Sequence, residues 1–187
     1  MNRISLGLGE YRVGRAADEE WTIYGLGSCV GLILCDPGRR VSAMAHVVLP
    51  ERHATAADEP AKYADTVVPF LLDEMSRLGA RREAIYAQVA GGARVLCFSE
   101  LPDIGTRNVA VVREQLELHG IPIVAERVGG THGRTLSWDV RRGVAEVRRV
   151  GAPAEVLTPQ EYAYEEVAVV GARTRSGRCT VHAPAAQ

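Results

Sequence analysis

No uninterrupted apolar run in this sequence approaches the length of a membrane span, and no segment concentrates Lys or Arg on the scale a phosphate backbone demands. With a formal net charge of -1, the chain carries no electrostatic footprint for nucleic acid or an anionic membrane surface. Residues 1–10 lack the basic segment and apolar stretch of a secretory leader, so the expected address is the cytoplasm. Cysteine is sparse. Cys29, Cys35, Cys97 and Cys179 form neither a CxxC pair nor a dense framework, so free thiols are expected rather than disulfide staples. A zinc site drawn from Cys29, Cys35 and His46 matches no familiar ligand spacing and has no evident fourth ligand, so neither a metal nor a cofactor is expected.

What is present is the composition of a folded domain: 187 residues, 47% apolar and 24% charged, enough chain to bury a core without staples. Short β-rich stretches come first, at residues 3–8, 10–14 and 21–26. An almost wholly apolar run at 30–35 is followed by Asp36-Pro37-Gly38, which has turn chemistry, and by a second apolar run at 41–49, so this part reads as a buried hairpin. After a polar, alanine-rich loop, Val67, Phe70, Leu71, Met75 and Leu78 recur at three- and four-residue steps and predict a helix over 63–78, stopped by Gly79. A strand at 84–89 ends at Gly91-Gly92, and a second helix is expected over about 106–119. A strand at 121–127 and a hairpin of 134–140 with 144–150 complete the pattern. Strands and helices do not alternate strictly, so the expected class is α+β, a layered α/β sandwich of mixed or antiparallel sheets with two main helices. The expected division is a domain over 1–152 and a C-terminal extension over 153–187 whose role is unassigned.

One constellation has chemical potential. In Gly25-Leu26-Gly27-Ser28-Cys29-Val30, a cysteine follows a glycine-containing turn and precedes a buried strand, which suits a rigidly held nucleophile. Taken alone, Cys29 reads as readily as a small buried apolar residue, and His46 as a core histidine bonded to a backbone carbonyl. The hairpin changes the balance. If Pro37 and Gly38 are the two central turn residues, Asp36 faces Arg39 and Cys29 faces His46, within reach of one another on one face of the sheet. A type II Pro-Gly turn fits a two-residue hairpin poorly, however, and a longer loop would move the register. An imidazolium beside the thiol would raise its thiolate fraction for attack on a carboxamide. Backbone N–H groups around Ser28 and Cys29 are the nearest oxyanion donors.

The segments GLGSCVG at 25–31 and DPGRRVSAMAHVVLP at 36–50 resemble the nucleophile and histidine segments of the CheD deamidases. KYAD at 62–65, AGGA at 90–93, IGTRN at 104–108 and IPIVAERVGGTHGR at 121–134 are similar to further CheD segments in the same order, so the resemblance spans roughly residues 1–150. It implies a fold like that of deamidating bacterial toxins and a protein-glutamine deamidase acting through a cysteine thioester on the cytoplasmic domains of chemoreceptors. It also implies a CheC-type phosphatase as a second partner. Cys29 is then the nucleophile and His46 its base; Gly27, Ser28, Gly91 and Gly92 are expected at the substrate. The family's third catalytic group is a threonine shortly before the nucleophile, and this chain has Ile23 there, with Thr22 one residue earlier. Thr22 serves if a bulge precedes Gly25; alternatively a backbone carbonyl orients His46, or activity is reduced, and Thr22 reads equally as an ordinary strand residue. A chain that kept the fold but acted as a receptor- or CheC-binding adaptor is the alternative to an enzyme.

Overall fold

A computed structural model describes residues 1–53, 59–94 and 103–164. The strands in chain order are β1 (Asn2–Ser5), β2 (Tyr11–Arg15), β3 (Glu19–Leu26), β4 (Val30–Asp36), β5 (Val41–Val47), β6 (Tyr86–Gly91), β7 (Ile123–Val128), β8 (Arg134–Asp139), β9 (Val144–Arg149) and β10 (Glu155–Val156). The helices are α1 (Ala64–Arg77) and α2 (Ile104–Leu118). Among the described residues the strands form two five-stranded sheets, ordered β1-β3-β8-β9-β10 and β2-β5-β4-β6-β7. Both sheets are mixed: β1 runs parallel to β3 and β6 parallel to β7, while the remaining pairs are antiparallel.

The apolar runs of β4 and β5 are explained by burial on both faces. Val30, Leu32 and Leu34 of β4, with Val41, Ala43, Ala45 and Val47 of β5, pack against Val67, Leu71, Met75, Val112 and Leu116 of the helices. The opposite face, bearing Ile33, Cys35 and Met44, meets Trp21, Ile23, Leu26, Leu136 and Trp138 of the first sheet. The order of layers is therefore helices, sheet, sheet. Each α-helix ends at a glycine with positive φ, Gly79 and Gly120, as the periodicity predicts.

One expectation needs correction. The hairpin loop is four residues long, closed by the pair Asp36 and Val41, so Gly31 rather than Cys29 stands opposite His46. The reason lies in Asp36, which is fully buried: its carboxylate accepts from the N–H of Arg39 (3.1 Å) and of Arg81 (2.7 Å), and Arg40 takes a φ of 52°. This side chain builds the turn that Pro-Gly alone would not. The C-terminal part is described as far as Tyr164. Of the expected extension, Leu157, Thr158 and Tyr164 are buried in the domain, with Leu157 and Tyr164 in the core between the sheets. Residues 165–187 lie outside the described residues, as do Cys97 and Cys179.

Candidate active site

The register displacement is two residues, an even number, so it preserves the face of the sheet. His46 alternates with Ser42 and Met44 on the side of β5 that meets the first sheet. Its facing residue, Gly31, is pressed so closely by that sheet that an added Cβ would lie 2.6 Å from Leu136 Cδ2 and 3.1 Å from Leu26 Cδ1. Cys29, two residues before Gly31 and just outside β4, is partly buried against the same core between the sheets. Cys29 and His46 thus belong to one side of the ribbon, displaced diagonally rather than directly opposed.

His46 is 4% exposed. Its Nδ1 lies 3.2 Å from the carbonyl oxygen of Leu6, and its Nε2 is buried without a hydrogen-bond partner. No hydrogen bond joins it to the Cys29 thiol. Burial holds the imidazole below its usual pKa against the opposing pull of the Leu6 and Gly7 backbone and of Glu10. Burial likewise pushes the Cys29 thiol up, partly countered by its own N–H. Both shifts favour the neutral forms, a thiol at Cys29 and an imidazole at His46.

The loop carrying Cys29 is gripped from behind. Its carbonyls are all engaged: Gly92 N–H donates to Cys29 O and Ala93 N–H to Gly27 O, each at 2.7 Å, and Asn108 Nδ2 donates to Ser28 O at 2.9 Å. With the carbonyls turned inward, no described acceptor is bonded to the N–H of Ser28, while that of Cys29 bears on its own sulfur. Ser28 itself is exposed. Gly91 and Gly92, expected at the substrate, are buried and support this loop. A Cβ on Gly91 would stand 2.2 Å from Cys29 O, and one on Gly92 would stand 2.3 Å from Val109 of α2. Arg134 secures the same turns, donating to Gly91 O at 3.1 Å and to Gly129 O at 2.7 Å.

Thr22 faces elsewhere. A bulge does lie in β3, between Ile23 and Leu26, with both Tyr24 and Gly25 exposed. It falls after Thr22, so it returns Leu26 to the core and leaves Thr22 on the outer face of the first sheet. There the Thr22 hydroxyl is 3.3 Å from Ser137 Oγ and lines a polar hollow with Arg3, Tyr24 and Arg148. The group at the second imidazole nitrogen is the Leu6 carbonyl, which no side-chain motif in the sequence could reveal. Asn108, legible in the sequence only as a polar residue at the start of α2, joins the Cys29 loop to the end of β5 through Ser28 O and Val48 O. Among the described residues there is no group of three or more His, Cys, Asp or Glu able to hold a metal ion.

A family described as CheD chemotactic sensory transduction matches residues 48–149. A protein of Desulforamulus reducens named "probable chemoreceptor glutamine deamidase CheD" is 39% identical over 160 residues, covering 82% of this chain and 95% of its own. One of the same name from Symbiobacterium thermophilum is 45% identical over 152 residues, 79% of this chain and 92% of its own. A "chemoreceptor glutamine deamidase CheD" of Bacillus velezensis is 39% identical over 152 residues, 79% of this chain and 91% of its own. The family match begins beyond Cys29 and His46, so the parts these two residues play rest on their geometry.

Proposed function

The chain belongs to the CheD family, and from that premise we propose that it is a protein-glutamine deamidase of chemoreceptors. The observation that carries the chemistry is the pairing on one face of a partly buried thiol, Cys29, with a buried imidazole, His46, whose Nε2 has no partner.

In this reading the Nδ1–H of His46 donates to Leu6 O, which leaves the Nε2 lone pair to act as base. As Cys29 Sγ attacks the carboxamide carbon of a glutamine, Nε2 takes the thiol proton. The negative charge on the former amide oxygen is met by the N–H groups of Ser28 and Cys29. Nε2 then returns its proton to the nitrogen, the C–N bond breaks, and ammonia leaves a thioester on Cys29. Water, deprotonated by the same nitrogen, attacks that thioester; glutamate departs and the thiol is restored. The missing thiol–imidazole hydrogen bond suits a pair that closes when substrate arrives, since such contacts often tighten only in the substrate complex.

The substrate side chains lie on the cytoplasmic domains of chemoreceptors, which makes the cytoplasm the place of action, and a CheC-type phosphatase is the second partner. The layered architecture supports kinship with deamidating toxins. Ile23 in place of the family's threonine is what favours an adaptor, and against it the Leu6 carbonyl at Nδ1 supplies an orienting contact for His46. Incubation with receptor cytoplasmic fragments tests the reading: the wild type produces the mass change of amide-to-acid conversion, and Cys29→Ala does not. Receptor binding without conversion by the wild type would favour the adaptor.

A further inference from the structure

We propose that Asn108 is a positioning residue that sets the distance between Cys29 and His46 by tying the nucleophile loop to the end of the histidine strand. This rests on the reading of Cys29 and His46 as the reacting pair. The side chain is fully buried, 0% exposed, in the first turns of α2. Its Nδ2 donates to two carbonyls, each at 2.9 Å: Ser28 O, next to the nucleophile, and Val48 O, two residues beyond His46. The orientation of the amide follows from these partners, because the opposite flip would turn its oxygen on two carbonyl oxygens.

The ladder between the two strands runs as far as the pair Val30 and Val47, and beyond it the Asn108 bridge carries the tie on to Ser28 O and Val48 O, while the N–H of Val48 goes to Lys62 O. Two small residues let α2 approach far enough for the bridge to form. A Cβ on Gly105 would meet Gly92 O at 2.8 Å and Ala93 O at 2.9 Å, and Gly92 itself has no room for one beside Val109. The fold also keeps Asn108 at a cost. Its Oδ1 is buried with no partner, a loss that an apolar residue in the stripe of Val109, Val112 and Leu116 would avoid. An amide retained there, with both donor hydrogens aimed at the two segments that carry the reacting groups, fits a locating strut better than a packing residue.

The test compares wild type, Asn108→Leu, Asn108→Ser, Val112→Ala, His46→Ala and Cys29→Ala. Readouts are deamidation of receptor fragments, thermal midpoint, and the pH profile of iodoacetamide labelling at Cys29. Leucine keeps the volume without the donors; serine, too short to span both carbonyls, serves if leucine does not fold. Val112→Ala is a cavity in the same helix, away from the bridge. The expected result is a fall of about 100-fold in kcat for Asn108→Leu or Asn108→Ser, with KM within about threefold of wild type. Their labelling profile should coincide with that of His46→Ala, while Val112→Ala keeps the wild-type profile at a comparable loss of thermal midpoint. Activity that disappears with Cys29 yet stays within about threefold in both Asn108 variants would overturn the Asn108 role alone. Activity persisting in Cys29→Ala would overturn the reacting pair and the strut together.

Discussion

His46 Nδ1 and the carbonyl oxygen of Leu6 are 3.2 Å apart, and this contact decides which imidazole nitrogen can do chemistry. A carbonyl only accepts, so Nδ1 carries the proton and Nε2 keeps its lone pair. Leu6 is fixed in turn, its N–H donating to Thr22 O at 2.9 Å. Thr22 therefore reaches the histidine through its backbone and one intervening residue, while its hydroxyl serves the outer face with Ser137.

The pH response follows from the burial of His46. Its neutral form is favoured by the fold, so the folded pKa lies below the ordinary 6.5. On acidification the unfolded chain takes this proton first; stability contributed by the neutral imidazole is present above 6.5 and is lost as pH falls through the lower, folded value. Activity should track the same group. The acid limb of kcat/KM is expected below pH 6.5, and His46→Ala should lose activity at every pH. An acid limb centred above 6.5 would contradict a desolvated base.

Gly91 and Gly31 should differ sharply on replacement by alanine. At Gly91, φ is 111° and the new Cβ would meet a backbone atom, Cys29 O, at 2.2 Å. Neither can yield without moving Cys29, so Gly91→Ala is expected to cost about 2 kcal/mol or more and, on the proposed mechanism, to abolish deamidation. At Gly31 the close neighbours are the Leu136 and Leu26 side-chain ends, which can rotate. Gly31→Ala should cost about 1 kcal/mol and leave Cys29 labelling measurable. Urea unfolding and thiol labelling of both variants check the contrast.

Periodicity made the elements legible in the sequence: α1, expected over 63–78, is Ala64–Arg77, and every strand expected up to residue 150 exists within a few residues of its place. The glycine-flanked cysteine and the histidine embedded in an apolar strand also stood out. What could not be read was whatever depends on contacts across the fold. The hairpin register was set by Asp36 bonding to Arg39 and Arg81, the latter 45 residues away, and local turn preference carries no trace of that bond. The partner of His46 is a main-chain oxygen, which no residue type announces. Asn108 did leave a faint signal, as an amide in the same buried stripe as Val109, Val112 and Leu116.

The segment after Ala152 should prove essential to folding. Thr158 Oγ1 accepts from Ala145 N–H at 2.7 Å and donates to Gln88 Oε1 at 3.0 Å, and Tyr86 donates to Tyr162 O at 3.0 Å. A chain ending after Ala152 would expose those groups and the core surface beneath Leu157 and Tyr164. The expected loss is on the order of 4 kcal/mol, read as a fall in the urea midpoint. A truncated chain with wild-type stability would return these residues to the status of an appendage.

Cys35 offers the sharpest test of how tightly that segment closes the core. Its thiol is fully buried, 3.2 Å from the Tyr164 hydroxyl, and burial pushes its pKa up from 9.0 to about 11. Between these values the unfolded chain releases a proton that the folded chain keeps, so stability is complete below pH 9 and falls as pH rises toward 11. Tyr86 and Tyr164 are also raised by burial, so alkaline destabilisation continues above the ordinary tyrosine value of 10.0. Cys29 is raised by burial as well, so the Cys35 share between pH 9 and 10, about 1 kcal/mol, is read as the difference between the wild type and Cys35→Ala. Cys35→Ala should lower stability at pH 7.5 through the lost packing and also flatten the decline from pH 9 to 10. If the variant and the wild type decline in parallel over that interval, water reaches the thiol and the C-terminal segment does not seal the space between the sheets.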